Sequence, residues 1–493
     1  MTSARRHLSN VVMLTGSGAA AKVILFFASV LVYKHLSVND NGLAGFGLFF
    51  GTLAAFVMDA GIRGYVLRQL ARIVTDPTAA HQLLSETLFL RLTLAVLLTP
   101  VAIAVAWLLG YGATALPVIA IFVSYGLLES FSLLFKAALR CYGRMGTDAI
   151  WSAVSKMILL AIIAWAAGRG RLTLNLVALT YAGTSALEML AMATALWKTS
   201  GIGRVPFPQG AGMRRLLAAS LPFATMGLLG MIYKGTALFC LSRGSNLRAV
   251  FQISSTNAPT NDYLVGLFTT ASRIPDMLGF LPIAVMGALI PYLASNKNNQ
   301  ALLTRYFQLL IRYLGALGCA CAAVVAFQGS ALLLLISKPE YLAGLPTLYW
   351  LAAAVPFFFL HYCTANFLIC LDEERAFLRR QTIALVLNLF LNVALIPRWS
   401  VAGAAAAVCI SEIFSLCFDM ALCSKHGIQF PWLSVAQWAG IVLAIGVAAW
   451  LTPAWSPALR MVPACLAAAA GLLLTVSRSD LNALRAPKTI DGA

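Results

Sequence analysis

The sequence predicts an all-α polytopic membrane protein of about fourteen transmembrane helices. Three observations carry that expectation. The 493-residue chain is 60% hydrophobic and only 11% charged, against about 25% charged residues in a soluble globular domain. Its mean hydropathy is +0.85. Its apolar residues gather into runs near the length of about 20 residues that a helix needs to cross a bilayer.

In chain order those runs are 10–34, 42–64, 84–109, 115–139, 149–168, 173–197, 215–241, 262–294, 304–336, 343–370, 379–397, 400–423, 433–453 and 459–476. Segments 11 and 12 of this series are parted only by Arg398-Trp399-Ser400, so their separation rests on three residues. Basic residues test the map. With the N-terminus inside, twenty-one Lys and Arg, Lys136 and Arg380 among them, fall in inside regions and eight in outside loops, the asymmetry that sets membrane topology. Both termini are therefore expected in the cytoplasm. The formal net charge of +18 is read as this topology signal and not as a nucleic-acid surface. No run of loop residues is long enough for a soluble domain.

The ten cysteines lie mostly within apolar segments, without a CxxC pair, and are read as small buried hydrophobes, with no metal site or disulfide framework. The Gly- and Pro-containing stretch 198–214 is a candidate cytoplasmic linker. It divides the chain into an N-terminal six-helix lobe at 1–197 and a second at 215–424, followed by an appended helix pair and tail at 425–493. Lys22 and Lys234 recur in the first segment of each lobe, an echo that suits the internal repeats of secondary transporters.

Ionisable residues deep in apolar segments are the functional candidates, because each costs roughly 2.5–3.5 kcal/mol at the centre of a spanning helix. Lys22 stands in a run of small residues with no acid within four positions, and Lys234 is similar. Asp59 and Arg63 are four apart at the inner end of segment 2. Segment 8 reads Thr269-Thr270-Ala271-Ser272-Arg273-Ile274-Pro275-Asp276. Arg273 and Asp276 share a face there, and Pro275 removes a backbone donor and is expected to kink the helix. Arg91, Lys156 and Arg312 are read partly as snorkelling side chains near helix ends. His361 is read as a satisfied core residue. Glu129, Glu188, Glu412 and Asp419 complete the deep set, whose acids and bases nearly balance. A cationic cavity would therefore require their segregation. Asp372-Glu373-Glu374 is expected to be a solvated loop. No catalytic constellation appears, so an enzyme is not expected.

Residues 10–72 also carry a resemblance. His35-Leu36-Ser37, Asn41-Gly42, Gly45-Phe46-Gly47 and Asp59-Ala60-Gly61-Ile62-Arg63 form a helix, a polar turn, a Gly- and Phe-rich helix and a basic exit. This pattern resembles the polysaccharide-export branch of the multidrug/oligosaccharidyl-lipid/polysaccharide flippase superfamily. The resemblance spans residues 10–424 and rests more on layout than on motif. It implies two six-helix lobes in a V around a central cavity, in the inner membrane of a bacterium. The implied cargo is an undecaprenyl-diphosphate-linked oligosaccharide for O-antigen or exopolysaccharide export, with polymerase and export partners of the same pathway. Lys22, Lys234 and Arg273 lie on the segments that the family places around its cavity. A related flippase depends on cations of helices 1, 2 and 8, which points to Lys22, Arg63 and Arg273, with Lys in place of Arg on helix 1. Asp59, Glu129 and Asp276 are candidates for coupling to a proton or sodium gradient; no cofactor is implied. A drug/cation antiporter of the same superfamily is the alternative, and a membrane glycan polymerase or ligase a more remote one.

Overall fold

The computed structural model describes residues 3–200, 210–244, 259–451 and 457–475. Most of the 198–214 linker, the outside-loop residues 245–258 and the tail beyond 475 lie outside the described residues. Among the described residues there is no β-strand. The chain divides into two compact units, Met1–Thr269 and Thr270–Ala493.

Among the described residues the first unit holds, in chain order, α1 (Ser3–His35), α2 (Val38–Asp59), α3 (Ile62–Ile73), α4 (Pro77–Leu108), α5 (Leu116–Cys141), α6 (Met145–Gly168), α7 (Leu174–Ser200) and α8 (Gly210–Leu241). Their boundaries follow local chemistry. Ser37 caps α2 by accepting the Asp40 amide through Oγ at 3.1 Å. Asp76 caps α4 by accepting from the amides of Thr78 and Ala79 at 3.0 and 3.2 Å, with Pro77 at the first helical position, where its missing N–H costs nothing. Segment 2 stops earlier than the expected residue 64. Ala60 and Gly61 take left-handed φ values of 45° and 71°, ending α2 at Asp59 and turning the chain into α3. That short helix is amphipathic: Ile62, Val66 and Leu70 are fully buried on one stripe.

In the core of this unit α5 packs on both α2 and α7, and α6 packs on α1. A Cβ on Gly51 would strike the Phe122 backbone, and one on Gly126 would strike the Gly51 carbonyl. These two glycines let α2 and α5 meet backbone to backbone, as small residues do in membrane helices. Leu92, Val96 and Leu97 of α4 are by contrast exposed, as a lipid-facing surface requires.

Helix α9 (Asn261–Leu278) runs through the division between the units. The second unit continues with α10 (Phe280–Ser295), α11 (Gln300–Ile336), a 3₁₀ turn (Pro339–Gly344), α12 (Leu345–Cys370), α13 (Glu374–Lys425), α14 (Leu433–Trp450) and α15 (Pro457–Thr475). The interruption expected near Pro275 falls at Gly279, and Pro275 itself stays inside α9. At 52 residues α13 would be about 78 Å long if straight, far more than a bilayer core of about 30 Å. It breaks at Ser400 (φ 54°, ψ −129°). Asn388 then donates to the Ala407 carbonyl at 3.3 Å and to Ser411 Oγ at 3.0 Å, so the two halves fold against each other. This is the separation of segments 11 and 12 that three residues had suggested.

Ten helical stretches among the described residues are long and apolar enough to cross a membrane by length and composition, and Gly227–Leu241 and Met461–Leu473 are shorter apolar helices. Every one of the fourteen expected segments falls on a helix. All ten cysteines are free thiols.

Candidate functional site

The turn at Ala60–Gly61 presents Asp59 at the end of α2. Its carboxylate forms an ion pair with Arg91 of α4, whose side chain is only 2% exposed. Arg91 Nη1 also donates to the Ser130 carbonyl at 2.6 Å and to Ser130 Oγ at 3.2 Å on α5. One guanidinium thus ties three helices together. Two expectations change here. Arg91 does not snorkel, because it is buried at a three-helix junction. Asp59 takes Arg91 as its partner and not Arg63, because Arg63 lies beyond the turn on α3, half-buried and within electrostatic reach of Arg140.

A second group centres on Glu188 of α7, which is fully buried. It pairs with Lys136 of α5 and with Lys156 Nζ of α6 at 3.2 Å. Ser155 Oγ donates to its Oε2 at 2.6 Å and Ser152 Oγ to its Oε1 at 3.2 Å. Lys156 Nζ reaches Glu129 Oε2 at 3.5 Å, and Ser185 Oγ donates to the same oxygen at 3.4 Å. The Ser152 hydroxyl stands between two carboxylates, with Asp148 Oδ1 at 3.1 Å as the alternative acceptor of its one proton, and Asp148 accepts from Arg140 Nε at 2.8 Å. The mesh therefore joins Lys136, Arg140 and Lys156 to Glu129, Asp148 and Glu188, a neutral set. Lys136 is 6% exposed and is a core residue; the sequence had placed it among the basic loop residues. Lys156, with two carboxylate partners, does not snorkel.

The second unit builds its buried charge around Asp419 of α13, which is fully buried. Arg380 Nε lies 3.2 Å from its Oδ1, and Thr364 Oγ1 donates to its Oδ2 at 3.1 Å. His361 of α12 sits between them, with Nδ1 3.0 Å from Asp419 Oδ2 and Nε2 3.1 Å from Arg380 Nη1. Arginine only donates, so Nε2 accepts and Nδ1–H donates to the carboxylate. The imidazole is a neutral bridge in one tautomer. Arg380, 1% exposed, belongs to this core and not to the basic loop that its sequence neighbours suggested. The acidic loop behaves as expected: Lys297 pairs with Asp372 at 2.7 Å and His426 with Glu373 at 3.2 Å.

The predicted cavity cations behave differently. Lys22, midway along α1, and Lys234 on α8 are both exposed. Lys234 makes no hydrogen bond or ion pair among the described residues. On α9, Arg273 is half-buried and Asp276 exposed, flanking Pro275 just before the interruption at Gly279. Among the described residues no group of three or more His, Cys, Asp or Glu is placed to hold a metal.

No protein-family model and no curated protein matches the chain. Solved structures do. The lipid II flippase MurJ in an inward closed conformation aligns with a TM-score of 0.78 at 12% identity, over 96% of this chain and 100% of that one. An inward-facing multidrug resistance MATE transporter of the MOP superfamily aligns with a TM-score of 0.65 at 15% identity, over 82% and 95%. The chain has the MurJ/MATE fold. A MOP superfamily transporter from Pyrococcus furiosus with a binding pocket of reverse polarity shares it with a TM-score of 0.57 at 15% identity, over 85% and 95%. At these identities the likeness is one of fold, that of a helical multi-pass membrane protein.

The residues that sequence reasoning undervalued had a readable signal. Glu129, Lys136 and Arg140 recur at seven and eleven residues along α5, and Asp148, Ser152, Ser155 and Lys156 at four, seven and eight along α6. Each is one helical face. Polar residues sharing one face of an apolar helix mark a helix–helix contact.

Proposed function

We propose that this protein is a flippase that moves a diphosphate-linked lipid oligosaccharide across a bacterial inner membrane by alternating access, both termini being cytoplasmic. The observation that carries this reading is the length of the MurJ match. The MurJ fold covers 96% of this chain, whereas two multidrug-transporter matches cover 82% and 86%. The proposed cargo is an undecaprenyl-diphosphate-linked repeat unit of the O-antigen or exopolysaccharide kind, handed to the polymerase and export partners of that pathway.

Deep charges divide by burial in a way that suits the task. Asp59, Arg91, Glu129, Lys136, Lys156 and Glu188 are occupied with one another, which leaves Asp59 and Glu129 better suited to holding helices than to ion coupling. Lys22 and Lys234 expose ammonium groups from apolar helices, and Arg273 sits beside a helix interruption. These three, with Arg63, are the proposed diphosphate-binding cations, and Asp276, exposed on α9, is the remaining coupling candidate among the named acids. Cations fixed in a region of low dielectric attract a diphosphate far more strongly than they would in water.

The test is export complementation in a cell lacking its own flippase, comparing wild type with Lys22→Ala, Lys234→Ala and Arg273→Ala at matched membrane abundance. Restored surface glycan with wild type, and precursor accumulating inside with the variants, supports the reading. Normal export by all three variants removes the site assignment. Failure of wild type with several glycans, together with drug efflux, would favour the antiporter that the MATE likeness also allows.

A further inference from the structure

The imidazole of His361 joins three crossings of the second unit. It projects from α12 and meets Arg380 on the arm of α13 before the Ser400 break and Asp419 on the arm after it. Nδ1 lies 3.0 Å from Asp419 Oδ2, and Nε2 lies 3.1 Å from Arg380 Nη1. Thr364 and Asp419 are fully buried and Arg380 nearly so, whereas the His361 side chain keeps 14% of its surface exposed. The imidazole is the most accessible member of the array. Besides α13, the elements packed on α12 are chiefly α11, α10 and the 3₁₀ turn. α10 contains no charged residue, and its Tyr292 ring packs against Tyr306 of α11. α11 meets α12 through Phe307, edge-on to Phe367, and Gly318, against Pro356 and Phe359. Of its arginines, Arg305 is exposed and Arg312 bonds Gln437 of α14. Glu340 of the 3₁₀ turn is exposed, and on α12 itself Tyr362 packs against Phe358. Cys363 and Cys423 are buried thiols of the surrounding core. The charged groups that the imidazole meets are Arg380 and Asp419.

This arrangement fixes what a bound proton must displace. With Nδ1–H directed at Asp419, the ring has one lone pair left, on Nε2, and it accepts from Arg380. An arginine carries only donors, so a proton on Nε2 excludes that bond. Guanidinium and proton compete for one lone pair. The Asp419 contact gains by the same event, because a bond between an imidazolium and a carboxylate is charge-assisted at both ends. A seat for the displaced guanidinium is already present, since Arg380 lies 4.7 Å over the Phe377 ring and an aromatic face attracts a cation. Imidazole is the side chain suited to such an exchange near neutral pH.

We propose that His361 Nε2 is a proton-binding site and that the proton taken up there is a coupling ion for transport. One proton from water binds the Nε2 lone pair, the hydrogen bond from Arg380 Nη1 opens, and no bond between heavy atoms changes. Asp419 stays bound to the imidazolium, so the arm of α13 that carries Arg380 is released from α12 while the arm that carries Asp419 is held more firmly. Proton occupancy thereby changes which crossings are tied together. The coupling role rests on the transport reading above, whereas the proton site rests on the geometry of these side chains.

The experiment labels the imidazole nitrogens of the five histidines with nitrogen-15 in the full-length protein. Their NMR signals are followed in lipid nanodiscs from about pH 8 to about pH 5, the range in which imidazoles change charge. His361→Gln identifies the His361 signals by their loss. At the upper end Nδ1 should carry a proton and Nε2 none, and on acidification Nε2 should gain one. Asp419→Asn removes the anion facing the imidazolium and should move that step to lower pH. Thr364→Val removes a competing donor from Asp419 Oδ2, should move the step to higher pH, and serves if Asp419→Asn does not fold. An Nε2 that stays unprotonated throughout, or a step that neither variant moves, would overturn the proposal. Coupling is read in proteoliposomes carrying an undecaprenyl-diphosphate-linked oligosaccharide, as the ratio of translocation rates with and without an imposed pH gradient. That ratio should exceed unity in wild type and fall to unity in His361→Gln; equal ratios would remove the coupling role. If wild type moves none of this lipid, the flippase reading fails, and the nitrogen titration still decides the proton site.

Discussion

The first unit distributes its buried charge and the second concentrates it. Around Glu188, three bases and three acids alternate across α5, α6 and α7, bridged by Ser152 and Ser155. Around Asp419 a single carboxylate serves Arg380, His361 and Thr364. A mesh tolerates the loss of some members, because Lys156 keeps Glu129 when Glu188 is gone. It does not tolerate the loss of its hub, because Lys136 has no other ion pair among the described residues. Both arrangements contrast with Lys234, which is exposed and outside any such group. The difference teaches that depth in a membrane helix does not identify a transport site. A buried charge must be compensated by its own fold, and only a charge left exposed along an apolar helix can compensate a ligand.

The largest expected effect is at the hub. Glu188→Ala strands Lys136 in the core and should destabilise the protein by about 3–5 kcal/mol, measured by SDS-titration unfolding in mixed micelles. A smaller loss than from removing a peripheral member such as Asp148 would break the distinction between hub and edge. Next is Arg91→Met, which leaves Asp59 unpaired at a cost of about 3 kcal/mol. Adding Asp59→Asn should restore at least half, and strict additivity would show that the pair is not coupled. Asp419→Asn keeps the acceptor geometry but removes the charge, with an expected cost of about 2–3 kcal/mol. His361→Gln should cost only about 1 kcal/mol, since Arg380 and Asp419 still meet directly; a larger loss would make the imidazole the keystone. Lys234→Ala should leave stability within about 0.5 kcal/mol, while export in complementing cells falls. A stability loss of several kcal/mol there would place Lys234 with the structural charges.

Much of the fold was legible in the sequence. Spanning helices are set by length and apolarity, and the loop charges checked their number. The break at Arg398-Trp399-Ser400 was visible because the apolar run was twice too long for one crossing. Positions that failed were those judged by distance from a helix end. Arg91, Lys136, Lys156 and Arg380 looked like snorkelling or loop residues because their long side chains sit near segment boundaries. Whether such a chain bends toward water or into a helix junction depends on which helix stands beside it, and that neighbour is remote in sequence: Lys136 meets Glu188, and Arg380 meets Asp419.

By itself the sequence determined an all-α chain of about fourteen spans, the hairpin at residues 10–72, a Pro275-bearing segment with Arg273 and Asp276, and a deep charge set that nearly balances. These are properties of local composition and period, and a bilayer enforces them because every backbone polar group must be satisfied within its own segment. Only the tertiary structure decided which deep charges are consumed in pairs and that His361 is a neutral bridge. Ion pairing in a low-dielectric interior acts over a few ångströms, so it is decided by which helix faces meet, information that the order of residues along one helix does not contain.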